Sequence, residues 1–171
     1  MELKKFIELR LDRVKQVTDR LMNDLTHEEL GWQPNSEANS IGLIYFHMAR
    51  AEDRFVQEFI QNKSRIWESE KWYEKLNMSA EDSGGMGYTA EQVEAFVTPE
   101  LEDMQAFAAA VREQSMTYLK DMTPEKFDEI IELPRFGSMS VGNVWKIILN
   151  HLTQHTGEIG YLRGLQRGIN N

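Results

Sequence analysis

The fold is decided by one segment near the end of the chain, Ser140-Val-Gly-Asn-Val-Trp-Lys-Ile-Ile-Leu-Asn-His151-Leu-Thr-Gln-His155-Thr-Gly-Glu-Ile-Gly-Tyr-Leu-Arg-Gly-Leu-Gln-Arg167. Its apolar residues recur at the spacing of one helix face, which predicts a long amphipathic α-helix. His151 and His155 interrupt that face, and at about 100° of rotation per residue both point inward. Buried imidazoles need partners for their ring nitrogens, and one metal ion satisfies two at once. The segment therefore predicts a core helix and a candidate metal site.

Three earlier segments have the same helical periodicity. They run from Leu3 to Leu25, from Asn39-Ser40 to about Lys63, and from Thr98-Pro99-Glu100 to Met122. The second and third begin with capping side chains, and the third also has proline at its first helical position. These segments and the final one predict four long helices.

Shorter elements lie between the long helices. Capping boxes predict a short turn that opens at Thr26 and a short helix that opens at Thr89, and Thr123-Pro124 begins another short helix that reaches about Ile131. His27 lies beside the first capping box, off any apolar stripe, and is interpreted as a solvated residue. The segment Leu133-Pro-Arg-Phe-Gly137 is predicted to turn the chain into the final helix.

The least periodic part of the chain is residues 64–97. It contains Trp67, Trp72 and Tyr73, for which packing under a long loop is favoured over a pocket cover or a subunit contact. It also contains Asp82-Ser-Gly-Gly-Met-Gly87. The glycines predict a flexible loop, but they lack the Lys-Ser/Thr ending of a phosphate-binding loop.

Four long amphipathic helices without an alternating β pattern predict an all-α fold, most simply a four-helix bundle. The 171 residues are long enough for one domain with a sizeable core, so residues 1–171 are assigned to a single domain. The long connector can cross the length of the bundle. Helices two and three can therefore run parallel rather than as a hairpin.

Charge and composition exclude several classes of function. The net charge of −9 repels phosphate backbones, so nucleic acid is not an expected partner. The absence of cysteine excludes disulfides, thiolate-bound zinc and a cysteine nucleophile. The sequence shows neither a hydrophobic leader nor a membrane-length apolar run, and a cytoplasmic location is therefore expected.

His47 provides a third candidate ligand for the pair on the final helix. It lies at the flank of the apolar stripe of the second helix, where a single histidine is ordinarily a boundary residue. In a bundle it can face His151 and His155. Three neutral imidazoles hold one divalent ion at roughly 2.0–2.1 Å per bond and leave a position for water or substrate. Such an open site is catalytic more often than structural.

Other chemistries fit the spacing poorly. A zinc-protease helix has glutamate directly after its first histidine, whereas Leu152 stands there. Di-iron chemistry needs paired Glu-x-x-His motifs, and His155-Thr-Gly-Glu158 has the reverse order. A serine triad is not supported either, because no nucleophile elbow is present.

Two stretches of the sequence resemble the DinB superfamily (DinB/YfiT-like metalloenzymes). They are Asn39-Ser-Ile leading into Ile44-Tyr-Phe-His-Met-Ala49, and Asn150-His-Leu-Thr-Gln-His-Thr-Gly-Glu-Ile-Gly-Tyr-Leu-Arg-Gly164. The resemblance spans essentially the whole chain. It implies a four-helix bundle with up-down-down-up topology and a left-handed crossover, often homodimeric. It also implies a metal held by one histidine on the second helix and an H-x-x-x-H pair on the fourth, which match His47, His151 and His155.

The resemblance also implies a function. Characterised relatives include thiol S-transferases that use bacillithiol and a mycothiol-dependent maleylpyruvate isomerase. A zinc or nickel ion is therefore expected to activate an external low-molecular-weight thiol, or water, toward a small-molecule substrate. Arg54 is a candidate contact for an anionic thiol or substrate; Glu158 could support the metal site, contact substrate or be solvated. Two alternatives stay open, namely a non-catalytic metal-binding or ligand-sensing homodimer and a structural bundle whose histidines bind water.

Overall fold

The computed structural model describes residues 2–134 and 136–168, and these are mostly helical. Arg135, in the predicted turn before the final helix, lies outside the described residues, as do residue 1 and residues 169–171. In chain order the elements are α1 (Leu3–Met22), α2 (His27–Gly31), α3 (Ile41–Asp53), a π-helix (Arg54–Ile60), α4 (Ile66–Ser69), α5 (Trp72–Lys75), α6 (Ala90–Glu94), α7 (Leu101–Lys120), α8 (Pro124–Asp128), β1 (Ile130–Leu133), β2 (Gly137–Ser140) and α9 (Val141–Arg167). None of the helices in these ranges has a stretch both long and apolar enough to cross a membrane.

The long helices α1, α3, α7 and α9 surround the core. Helix α3 packs against both α7 and α9, and α1 also contacts both of these helices. The Arg112 guanidinium connects three of the four, because it donates to both carboxylate oxygens of Glu52 at 2.8 and 2.7 Å and to the Leu11 carbonyl at 2.9 Å. The helical fold is confirmed. The up-down-down-up order and the single domain stay predictions.

Aromatic packing attaches the connector between α3 and α7 to the core. The Trp67 side chain is fully buried, with its ring centroid 5.6 Å from Phe46 and 5.5 Å from Phe107. Trp72 packs on the same Phe107 ring at 5.4 Å. The prediction that these tryptophans are packing residues is therefore confirmed.

Thr98 does not cap a helix as the sequence predicted. Helix α7 begins at Leu101, after Glu100, and Thr98 is instead buried against α3. A Cβ atom added to Gly42 would lie 2.3 Å from Thr98 Cγ2. The connector can approach α3 this closely because position 42 has no side chain.

Several predicted helix ends also differ. Helix α1 stops at Met22 rather than Leu25, and Asp24 adopts a left-handed φ of 61°. The capping boxes at Thr26 and Thr89 are confirmed. Helix α8 ends at Asp128 rather than near Ile131, because the chain there enters a strand.

The β-hairpin is a correction to the all-α prediction. β1 and β2 pair antiparallel, with Ile130 opposite Ser140 and Leu133 opposite Gly137. Each strand has four residues, and in β1 only Leu133 is buried. Strands this short and exposed leave no alternating hydrophobic pattern to recognise. The hairpin places Phe136 beside the end of α3.

The second predicted helix changes type along its length. Helix α3 ends at Asp53, and the next seven residues, Arg54–Ile60, form a π-helix with hydrogen bonds from i to i+5. Short π segments within helices are rare and occur frequently at functional sites. Here the π-helix forms one wall of a pocket.

Candidate metal centre

Three imidazoles from two helices converge inside the fold. His47 lies on α3, and His151 and His155 lie one turn apart on α9. The Nε2 atom of His151 is 3.0 Å from Nε2 of His47 and 3.1 Å from Nε2 of His155. One ring nitrogen from each histidine lies within 4.8 Å of the others. The three side chains could therefore hold a metal ion together.

The local sequence fixes both helices that present these rings. Ser40 caps α3 by accepting the Leu43 N–H at 3.1 Å, and Ser140 caps α9 by accepting the Asn143 N–H at 3.3 Å. Helix α3 is buried almost all round, so His47 has little freedom to rotate away from α9. The i, i+4 spacing on α9 stacks its two histidines on one face.

The hydrogen bonds of the outer nitrogens determine where the protons lie. His47 Nδ1 lies 2.6 Å from the Gly84 carbonyl oxygen, and His155 Nδ1 lies 2.7 Å from Glu158 Oε2. A carbonyl and a carboxylate only accept hydrogen bonds, so each Nδ1 carries the proton and donates it. In the neutral rings of His47 and His155, the Nε2 atom then carries a lone pair that is directed at His151.

This arrangement fits a divalent cation better than it fits hydrogen bonding among the rings. Nε2 of His151 carries at most one proton, while the lone pairs of two other rings point at it. Ligands of a tetrahedral ion at 2.0–2.1 Å are separated by about 3.3 Å, within a few tenths of an ångström of the two observed separations. Three neutral imidazole nitrogens are also a donor set that zinc and nickel accept.

Burial favours the neutral form of two of these rings, those of His47 and His151. Removal from water lowers the pKa of His151 to about 3, with a further lowering by the neighbouring charges of His155 and His47. Burial also lowers the pKa of His47, and the hydrogen bond to Gly84 partly opposes this shift. Neutral imidazole is the form that binds metal. The site therefore favours the binding-competent form across neutral pH.

The loop that contacts His47 was not predicted as part of the site. Its Gly84 N–H donates to Asp82 Oδ1 at 2.7 Å, and Arg50 Nη2 donates to the Asp82 carbonyl at 2.6 Å. The buried Arg50 guanidinium in turn lies 4.0 Å from the centre of the Trp67 ring. The glycine cluster was the available signal in the sequence. It indicates a turn but not the residue that the turn contacts.

A pocket of about 400 Å³ opens beside two of the histidines, His47 and His151. Its walls come from α3 with the π-helix, the loop after Asp82, the β-hairpin and α9. Most of the lining is apolar, with Phe55 and Phe59 from the π-helix on one side. A molecule in this pocket would lie directly beside the imidazole cluster.

The remaining candidate residues are divided between the pocket and the surface. Arg54 lines the pocket, where Nη1 donates to Met86 Sδ at 3.2 Å. Glu158, for which three roles were left open, contacts His155, and half of its side chain is exposed. His27 is exposed and faces Glu100, as its interpretation as a solvated residue predicted.

These features define a helical protein in which three clustered histidines could bind a metal ion. Residues 10–159 match the sequence model of the DinB superfamily, and the chain belongs to that superfamily. A crystal structure described as a conserved protein of a locus from Enterococcus faecalis has the same fold. It is 20% identical in sequence, with a TM-score of 0.85, over 99% of this chain and 99% of that one. No curated protein matches the sequence.

Proposed function

We propose that this protein is a metal-dependent enzyme that acts on a small molecule, resembling the thiol S-transferases, with His47, His151 and His155 as ligands of one zinc or nickel ion. The observation that carries the proposal is the convergence of three Nε2 atoms. In His47 and His155 the ring proton lies on Nδ1, so Nε2 is free of a proton. A pocket beside the histidines gives a substrate access to the site.

Each residue of the site has a defined part in this chemistry. His47, His151 and His155 would hold a divalent ion, which when bound would supply Lewis acidity and lower the pKa of an external thiol or water. The three histidines bind as neutral ligands and do not exchange protons with substrate. The Gly84 carbonyl and Glu158 keep two of the rings in the binding tautomer. The apolar pocket orients the electrophile and limits its contact with water.

Contacts between helix ends support the up-down-down-up topology that belongs to this proposal. The Lys4 ammonium donates to the Lys120 carbonyl at 3.0 Å, so the start of α1 lies at the end of α7. Arg163 donates to the Leu21 carbonyl at 3.0 Å, so α1 and α9 end together. The homodimer, the cytoplasmic location and the external thiol remain parts of the proposal that rest on the resemblance and on sequence composition.

Metal analysis tests the ligand set. Protein purified without a histidine tag or chelator is loaded with Zn²⁺ or Ni²⁺ and desalted, and bound metal is measured. We expect about one equivalent in the parent and less than a tenth in His151→Ala. His27→Ala is the matched control, since it removes the exposed histidine outside the cluster and should keep full binding. Equal binding by all three proteins would refute the ligand assignment.

A separate assay tests catalysis. The metal-loaded parent and His151→Ala are incubated with a panel of low-molecular-weight thiols and an electrophile such as chloro-dinitrobenzene or an epoxide. We expect thiol-dependent turnover in the parent and its loss in the variant. Metal binding with equal turnover in both proteins would instead support the non-catalytic metal-binding or ligand-sensing alternative.

A further inference from the structure

The walls of the pocket beside the histidines are suited to an apolar, ring-sized body. Phe55 and Phe59 meet edge to face with centroids 5.4 Å apart, and Phe136 of the hairpin lies 6.3 Å from Phe55. Ile147 of α9 also lines the pocket. The volume of about 400 Å³ lies in the range of small-molecule sites. Aromatic walls of this kind pack well against a flat ring.

Two large apolar side chains remain exposed at the same place. Phe136 is 52% exposed and Met86 is 44% exposed. Both line the pocket. Exposed apolar groups at a concave site mark surface that a ligand covers. The apolar contact area therefore continues from the floor of the pocket to its mouth.

A cation borders this apolar surface. The Arg54 side chain is 17% exposed and lies beside Glu58, with 3.9 Å between Arg54 Nε and Glu58 Oε2. Glu58 Oε2 is also 3.6 Å from Arg65 Nε, and Arg65 pairs more closely with Glu68. The buried Arg50 also lines the pocket and adds a second positive charge. The charged residues that line the pocket are therefore two arginines and one glutamate, a positive balance in a chain whose net charge is −9.

We infer that this pocket binds a molecule with an apolar, ring-sized body and one anionic group, with the ring against Phe55, Phe59 and Phe136 and the anion at Arg54. This deepens the proposed function, because such a ligand would direct its remaining end toward His47 and His151. Binding itself depends on the pocket walls and on Arg54. It can therefore be measured separately from metal binding and turnover.

Naphthalene-1-sulfonate and its neutral isostere, methyl naphthyl sulfone, are the probes. Sulfonate is a poor metal ligand, so its binding reports on the pocket. Dissociation constants are measured by calorimetry on the full chain, with and without added Zn²⁺. A charge-assisted hydrogen bond at Arg54 should make the sulfonate bind about tenfold or more tightly than the sulfone. Phe136→Ala should weaken both probes.

Matched arginine variants identify the source of the preference for the sulfonate over the sulfone. Arg54→Gln should abolish it, and Arg54→Lys should restore part of it. Arg65→Gln is the control, because it removes the other arginine at Glu58 without changing a pocket-lining residue. Circular dichroism confirms that each variant is folded. Equal affinity of the parent for both probes, or loss of the preference in Arg65→Gln as well, would overturn the inference.

The outcomes also separate this inference from the proposed function. A sulfonate preference lost only in Arg54→Gln, in a protein that binds no metal, would leave the pocket assignment standing while the metal proposal fails. Stoichiometric metal binding without any preference for the sulfonate would leave the metal proposal standing while the pocket assignment fails.

Discussion

Replacing Gly84 by alanine tests whether the loop after Asp82 holds His47 in its binding orientation. Gly84 has a left-handed φ of 71°, and a Cβ atom on it would lie 2.5 Å from Arg50 Cβ. Carbon atoms pack at about 3.5 Å or more, so the loop must move away from α3 by about 1 Å. Arg50 and His47 lie one turn apart on α3. The same movement therefore lengthens the hydrogen bond from His47 to Gly84.

The size of the effect follows from that displacement. The present separation between His47 Nδ1 and the Gly84 oxygen is 2.6 Å, and a shift of about 1 Å brings it to about 3.6 Å, beyond hydrogen-bond range. Loss of an outer hydrogen bond to a metal-binding histidine typically lowers metal affinity by about 10- to 100-fold. We therefore expect Gly84→Ala to bind Zn²⁺ at least about tenfold more weakly than the parent.

The same loop provides the control. Gly87 also has a left-handed φ, 73°, but among the described residues no heavy atom beyond its own and those of its chain neighbours lies within 4 Å of the position that its Cβ would occupy. Both alanine variants carry a backbone strain of about 1–2 kcal/mol, whereas only Gly84→Ala displaces the contact with His47. Zn²⁺ affinity is measured by competition with a chromophoric chelator, and folding by urea denaturation. Equal Zn²⁺ affinity in the two folded variants would refute the argument.

Three further predictions concern other parts of the structure. Glu158→Gln should weaken Zn²⁺ binding by about tenfold with little change in the urea midpoint of the metal-free protein, because the half-exposed carboxylate mainly fixes the tautomer of His155; an unchanged dissociation constant would contradict this. Glu52→Ala should lower the free energy of unfolding by about 3 kcal/mol, since it leaves the Arg112 charge without its carboxylate partner. Titration calorimetry of the metal-free variant with Zn²⁺ should still show one bound ion per chain. In metal-free protein the pKa of His151 is lowered to about 3, so between that value and about 6.5 the unfolded chain binds more protons than the native chain. On acidification below about pH 6.5 the parent should therefore lose stability relative to His151→Gln, by up to about 1.4 kcal/mol per pH unit in urea denaturation, and a difference independent of pH would oppose the assignment.

The long helices and the histidine spacing could be predicted because both are local properties of the sequence. The i, i+4 relation of His151 and His155 follows from helix geometry alone once α9 is recognised. Placing His47 opposite them required only that α3 and α9 pack together. Apolar periodicity predicted the two helices, and the resemblance to the DinB superfamily implied that a histidine of the second helix joins the pair on the fourth. These are short-range patterns, and tertiary contacts did not alter them.

The features that were missed depend on contacts between distant residues. The Gly84 carbonyl reaches His47 from a loop 37 residues further along the chain. Thr98 has the chemistry of a cap, yet its close approach to Gly42 places it in the interior instead. The hairpin and the π-helix were missed because four exposed residues per strand and one irregular helix end leave no periodic signal. Each of these features borders the site or the connector that supports it.

In the absence of a metal ion, the arrangement of the three histidines lowers the stability of the native state. Burial lowers the pKa of His47 and His151. The Nε2 lone pairs of His47 and His155 both point at Nε2 of His151, which carries at most one proton. Anchors on both helices prevent the rings from separating to relieve this. A bound ion removes the conflict and binds the native state alone, so it stabilises the fold by about 2.7 kcal/mol when free metal reaches a hundred times its dissociation constant. Metal affinity and fold stability are therefore linked through the same two outer hydrogen bonds, those of His47 to Gly84 and of His155 to Glu158.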